Sequence, residues 1–222
     1  MIKAVIFDLD DTLYREMDYV ESGFLAVAEH LEGRFGIDRK VTKARFLDSL
    51  IRNGRGRIFD DWIHEERLNE FISASELVDV YRSHLPNIAL YPDVEPILNK
   101  LKSLRISSGI ITDGCLKVQM MKIKTLGLSE IMDNIVCTDA KGGDYSKPNP
   151  RVFLDMLERL RIPPNESIYI GNDPAKDFKA PRVIGMYSAH ISRSPIGTHT
   201  CEADYHIMGL GELADILNRR IY

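Results

Sequence analysis

The hydrophobic pattern opens with a short apolar run, Ala4 to Phe7, too short for a helix and read as a buried strand. It leads straight into Asp8, Asp10 and Asp11, three carboxylates within four positions. From residue 15 to 88 no strand pattern occurs. Tyr19, Phe24, Leu25, Val27, Ala28 and Leu31 recur near helical spacing until Gly33 and Gly36 break the run. Phe46, Leu47, Leu50 and Ile51 share one face of a second helix over 43–51. The stretch from Arg52 to Arg57, with Gly54, Arg55 and Gly56, reads as a basic loop. Two more helices are predicted over 60–71 and 75–84, with Ser75 as an N-cap.

Beyond Tyr91 the pattern alternates. Helices are predicted over 92–104, 116–126, 151–160, 177–184 and 210–220. Strands are predicted over 106–111, within 131–137, and over 167–170 and 186–191. Strands alternating with helices point to an α/β fold, a Rossmann-like parallel-sheet core with helices on both faces. The helical stretch breaks that alternation and reads as a small all-helical domain inserted after the first strand. The expected division is 1–14 with 89–222 for the core and 15–88 for the insertion.

Composition narrows the class. The 222 residues are 44% hydrophobic and 28% charged, as in an ordinary globular protein. The net charge of −4, from 29 basic and 33 acidic side chains, lacks the basic footprint of a nucleic-acid binder. No run approaches the roughly twenty apolar residues that span a bilayer. Lys3 interrupts the only stretch resembling a signal peptide. Cys115, Cys137 and Cys201 form neither a disulfide framework nor a pair at metal-site spacing. The expectation is a soluble cytoplasmic protein with reduced thiols; the oligomeric state is not legible.

The polar clusters at three predicted strand ends carry the chemistry. In open α/β sheets ligands bind beyond the carboxyl ends of the strands. There lie Asp8 to Thr12, then Thr112-Asp113-Gly114, then Asn172, Asp173 and Asp177. Alternation along a strand puts Asp8 and Asp10 on one side and Leu9 on the other. Close carboxylates raise one another's pKa, and a bound divalent cation relieves this. Magnesium suits oxygen ligands shared with phosphate. Thr112 and the backbone beside Gly114 are suited to an anion, although Thr112 or Asp113 equally serves as an N-cap. Lys147, stiffened by Pro148 and Pro150, presents one ammonium to a phosphate or to solvent. Asp177 equally suits the first turn of a helix.

The order Asp8-Leu9-Asp10-Asp11-Thr12, Thr112, Lys147 before a proline, then Asp173 and Asp177 resembles the haloacid dehalogenase superfamily over essentially the whole chain. The resemblance implies a phosphatase with a small helical cap and a magnesium cofactor. It implies that Asp8 is the nucleophile, forming an aspartyl-phosphate, and that Asp10 is the general acid and base. Thr112, Asp113 and Lys147 would hold the phosphoryl group. Asp8, the Asp10 backbone carbonyl and Asp173 would hold magnesium, with Asp177 in support. Asn172 is the alternative to Asp173 at the metal; Asp173 is favoured because a carboxylate neutralises the cation better.

Members that cleave carbon–halogen bonds lack an acid at the position of Asp10. Its presence favours phosphate chemistry on a small-molecule phosphate ester, a sugar phosphate or nucleoside monophosphate. The alternatives are a phosphomutase of the same fold and a non-catalytic binding module. Asp11 and Thr12 are assigned to shaping the turn. Arg52, Arg55 and Arg57 either reach the substrate or stay solvated, and Phe59 and Trp62 are assigned to the core of the insertion.

Overall fold

The computed structural model describes residues 1–142, 145–193 and 201–221. It divides into two compact units, Met1–Arg15 with Ala89–Tyr222, and Glu16–Ile88. The first strand, β1 (Ala4–Phe7), is buried along its length. After it the chain leaves the larger unit, and it returns where Tyr91 donates its backbone N–H to the Leu13 carbonyl at 2.9 Å. The two ends of the insertion therefore leave and rejoin the larger unit side by side.

The inserted unit holds α1 (Glu16–Phe35), α2 (Arg39–Asn53), α3 (Ile58–Glu65) and α4 (Ala74–Ser83). Val20, Phe24, Val27, Leu31, Phe46, Phe59, Trp62 and Leu77 form its core, so Phe59 and Trp62 are packing residues. Several boundaries differ from the sequence pattern. Helix α1 continues through Gly33, which lies on an exposed face; a glycine there costs about 1 kcal/mol, which the packing of Val27 and Leu31 offsets. Helix α2 starts at Arg39 because the Asp38 carboxylate accepts from the amides of Lys40 and Val41 at 2.8 and 2.9 Å. Helix α3 stops at Glu65, and Arg67 then turns left-handed with φ 58°. Ser73, rather than Ser75, caps α4 by accepting from the Glu76 amide.

In the larger unit follow α5 (Val94–Ser103), β2 (Ser107–Thr112), α6 (Leu116–Thr125), β3 (Asn134–Cys137), α7 (Pro150–Leu160), β4 (Ser167–Gly171), α8 (Lys179–Ile184), β5 (Tyr187–Ile191), β6 (Tyr205–Ile207) and α9 (Leu213–Ile221). All strand pairs are parallel, in the order β3-β2-β1-β4-β5-β6. The α/β reading holds, but β6 was not predicted: three residues alternating around His206 carry too little apolar pattern.

The connections run outward from β1 to β2 and β3, then cross to β4 and run the other way. The strand order thus reverses between β1 and β4, and this switch point is where such sheets open a crevice. Packing sets close tolerances nearby. A methyl group added at Gly109 on β2 would meet the Met156 sulfur of α7 at 2.8 Å. Among the described residues no helix is long and apolar enough to cross a membrane.

Candidate active site

Asp8 is the first residue past β1, and its amide extends the sheet by donating to the Ile170 carbonyl at 2.8 Å. Its side chain is buried in the switch-point crevice. Lys147 donates to Asp8 Oδ1 at 2.6 Å, to Asp177 Oδ1 at 2.8 Å and to the Tyr169 hydroxyl at 2.9 Å. All three ammonium protons are therefore engaged. Tyr169, buried on β4, also donates to Asp177 Oδ1 at 3.1 Å. Burial alone would lower the Lys147 pKa, but the charges of Asp8, Tyr169 and Asp177 outweigh it and hold the ammonium protonated. Burial is also the main reason the Asp8 carboxyl is raised to about 7; Asp177 and Asp10 push the same way, while Lys147 pulls it down.

Asp8 Oδ2 faces a different set of groups. The Thr12 hydroxyl lies 3.5 Å from Asp8 Oδ2 and 3.5 Å from the side-chain oxygen of Asn172. Thr12 is fully buried, so it takes part in the crevice as well as the turn, whereas Asp11 is the turn residue, with φ 55°. The motif turn is held from behind by Arg193, which donates to the Thr12 carbonyl at 2.7 Å and pairs with Asp93 at 2.7 and 2.9 Å.

Asp10 has its own cradle. Lys122 donates to Asp10 Oδ1 at 2.7 Å, Gln119 to Asp10 Oδ2 at 2.9 Å, and the Tyr14 hydroxyl also donates to Oδ1. Burial alone would raise the Asp10 pKa, but the Lys122 charge and these hydrogen bonds outweigh it and keep the carboxyl below its ordinary range. Gln119 Nε2 also donates to the Thr112 hydroxyl, so Thr112 and Asp10 share one amide. Gln119 and Lys122 sit one turn apart on the buried face of α6. Sequence reasoning passed over both. The available signal was two long polar side chains at i, i+3 on the face that also buries Val118 and Ile123. Tyr14 and Tyr169 were missed as well, and nothing in the local pattern separates them from core residues.

The other candidates are placed less directly. Asp113 Oδ1 accepts from the Thr138 hydroxyl at 2.8 Å and from the Lys147 amide at 3.2 Å. Its carboxylate ties two loops together. Asp177 is fully buried: Oδ1 faces Lys147 and Tyr169, and Oδ2 accepts from the Asp173 amide at 2.9 Å. Both oxygens are committed, so Asp177 orients Lys147 and the Asp173 backbone. The loop passes so close that a methyl group on Gly171 would meet Asp177 Oδ2 at 2.3 Å; only glycine fits there.

Asp173 turns its own Oδ1 onto the Ala175 amide at 2.9 Å, and its Oδ2 lies 3.8 Å from Lys176. Asn172 shares the Thr12 hydroxyl with Asp8, whereas the Asp173 carboxylate, favoured from the sequence, caps its own turn. Arg52, Arg55 and Arg57 pair with Asp48, Glu16 and Asp61 of their own unit.

A carboxylate nucleophile candidate beside a buried lysine, with a second acid two residues on, is a hydrolase-type centre. The sequence model of the haloacid dehalogenase-like hydrolases matches residues 5–191, and the chain belongs to that family. It is 29% identical over 226 residues to a glyceraldehyde 3-phosphate phosphatase of Methanocaldococcus jannaschii, covering 98% of this chain and 97% of that one. It is also 29% identical over 226 residues to a phosphoglycolate phosphatase of Chromobacterium violaceum, covering 97% and 96%. The crystal structure of a HAD phosphatase from Thermococcus onnurineus superposes with a TM-score of 0.67 at 28% identity, covering 97% of this chain and 98% of that one.

Proposed function

We propose that this chain is a magnesium-dependent phosphomonoesterase for a small phosphorylated metabolite, working through a phosphorylated Asp8. One observation carries the reading. Lys147 fixes Asp8 by one oxygen and leaves the other facing Thr12 and Asn172, with Asp10 held separately by Lys122 and Gln119. A nucleophile and a proton carrier, each held by its own lysine, is the division of labour that a two-step displacement needs.

The donor set fits magnesium. Asp8 Oδ2, the Asn172 amide oxygen and the Asp10 backbone carbonyl are hard oxygen donors, and a raised Asp8 pKa marks a place where a cation stabilises the charged form. When bound, magnesium neutralises phosphoryl oxygens and the Asp8 carboxylate, which phosphoryl transfer requires.

The residues then act in order. The Asp8 carboxylate attacks phosphorus and the ester P–O bond breaks. Asp10 hands a proton to the leaving oxygen. Asp10 starts ionised against Lys122, so it takes up that proton from solvent as the substrate's negative charge comes near. Asp10, now a carboxylate, removes a proton from water. The water oxygen attacks phosphorus, releasing phosphate and regenerating the Asp8 carboxylate. Thr112, placed by Gln119, and the backbone N–H groups after it hold the phosphoryl oxygens. Relatives named for glyceraldehyde 3-phosphate, phosphoglycolate and phosphoserine favour a small ester over a nucleotide.

Phosphate release from an aryl phosphate and from a panel of phosphorylated metabolites, with magnesium and with a chelator, tests this. Asp8→Asn is expected to abolish release. Release surviving that change would remove Asp8 from the mechanism.

A further inference from the structure

A second group of donors lies at the β5–β6 edge of the sheet. In the β5–β6 ladder His190 stands opposite His206, so both project from the same face. Their rings are 5.7 Å apart, centroid to centroid, and nearly perpendicular. The Cys201 thiol approaches from the segment that runs into β6. One ligand atom from each of His190, Cys201 and His206 lies within 4.8 Å of the others.

Three features hold this arrangement. The His190 ring is buried and packs edge-on to Phe178 at 5.5 Å. Three residues after Cys201, Asp204 accepts from the Ser188 amide at 2.8 Å and from its hydroxyl at 3.1 Å, pinning the chain to β5. Past His190, the Ser192 amide donates to the Ile207 carbonyl at 2.9 Å. Backbone ladder and side-chain anchors therefore present the three donors together before any ion arrives.

We propose that His190, Cys201 and His206 form a binding site for a borderline-soft divalent metal ion, zinc above all. One thiolate and two imidazoles are the donors such ions take, whereas magnesium takes oxygen. Around a tetrahedral zinc the donors stand about 3.5 Å apart, so torsional adjustment of side chains within 4.8 Å closes the site. The fourth position is left to water. The ion ties β6, a three-residue edge strand, and the segment before it to β5. The site shares no residue with the carboxylate crevice. The sequence hides it, because the ligands come from two strands and a connecting segment rather than from a pair of close-spaced cysteines.

The test uses the full chain, stripped with a chelator and held in excess magnesium so that the carboxylates are occupied. Cobalt(II) serves as the spectroscopic probe and zinc as the competitor. The expected result is one cobalt per chain with a thiolate-to-cobalt charge-transfer band, displaced by zinc, and a melting temperature that zinc raises. Cys201→Ser is expected to lose the band and the melting shift. His206→Ala is expected to weaken binding by at least about tenfold, the loss that even outer partners of a metal can cause. Both positions are outside the buried core, so these variants fold whether or not His190 variants do. Asp8→Asn is expected to keep the band. No band in the wild type, or an unchanged band and melting shift in Cys201→Ser and His206→Ala, would overturn the site.

Discussion

Lys122 Nζ stands 2.7 Å from Asp10 Oδ1, and the lysine is almost wholly buried while the carboxylate is 24% exposed. The pair fixes where the Asp10 carboxylate points. Its second oxygen is fixed by Gln119, which also reaches Thr112. Helix α6 thereby couples Asp10, the proposed acid–base residue, to the proposed phosphate loop.

Replacing Lys122 with Met is expected to lower kcat by roughly tenfold or more, part of the ~10²–10⁴ that positioned acid–base groups contribute. KM should change little, and Lys122→Arg should recover part of the loss. Stability should fall by roughly 1–3 kcal/mol, less than for a fully buried pair because Asp10 reaches solvent. Steady-state kinetics beside denaturant titration separates the two effects. A variant that loses only stability would make Lys122 a packing residue.

The two candidates after β4 make different predictions about magnesium. Asn172 shares the Thr12 hydroxyl with Asp8, whereas Asp173 caps its own turn. Asn172→Ala is expected to weaken magnesium binding by at least about tenfold, Asn172→Asp to strengthen it, and Asp173→Ala to change it by less than roughly threefold. Titration calorimetry on the three variants decides. The reverse ranking would return the metal to Asp173.

Metal-free Asp8 should destabilise the fold at neutral pH. Its carboxyl lies at about 7 in the folded protein against 3.8 as the ordinary value. Below about pH 4 the group is protonated in both folded and unfolded chains and contributes no difference. Between the two values the unfolded chain releases its proton and the folded one keeps it, so the penalty grows with pH; above about 7 it is complete. Asp8→Asn should therefore stabilise the magnesium-free protein by on the order of 4 kcal/mol at pH 8 and by almost nothing at pH 3.5. Chemical denaturation at both pH values, with chelator present, measures this.

Asp93 behaves in the opposite sense. Burial pushes its carboxyl up, but the Arg193 hydrogen bonds, the Leu210 amide and the Arg193 charge outweigh that and leave it below the ordinary value. The stability it contributes is present above the unfolded carboxylate pKa of about 4 and is lost as pH falls through the lower folded value. Asp93→Asn is expected to cost about 1–3 kcal/mol at pH 7, and the difference from wild type should shrink toward pH 3. An equal difference at both pH values would show that the charge is not what matters. Because Arg193 also holds the Thr12 carbonyl, the variant should lower kcat too.

Much of the molecule is legible in the order of residues. Ala4–Phe7 has no polar side to show solvent, and the alternation of such short runs with helical spacing leads to a parallel sheet. Asp8, Asp10 and Lys147 stand out because acids at a strand end and a lysine between prolines are local features. What the chain alone does not show is which groups meet. Asn172 and Asp173 differ by one residue in a turn, and only the fold shows that Asn172 shares the Thr12 hydroxyl with Asp8 while Asp173 caps its own turn. Lys122 and Gln119 look like any polar residues on a helix until the fold brings α6 to Asp10 and Thr112. His190, Cys201 and His206 become neighbours only through the β5–β6 register. Local pattern follows from the side chains themselves, whereas a site is made by the register and packing of elements far apart in sequence.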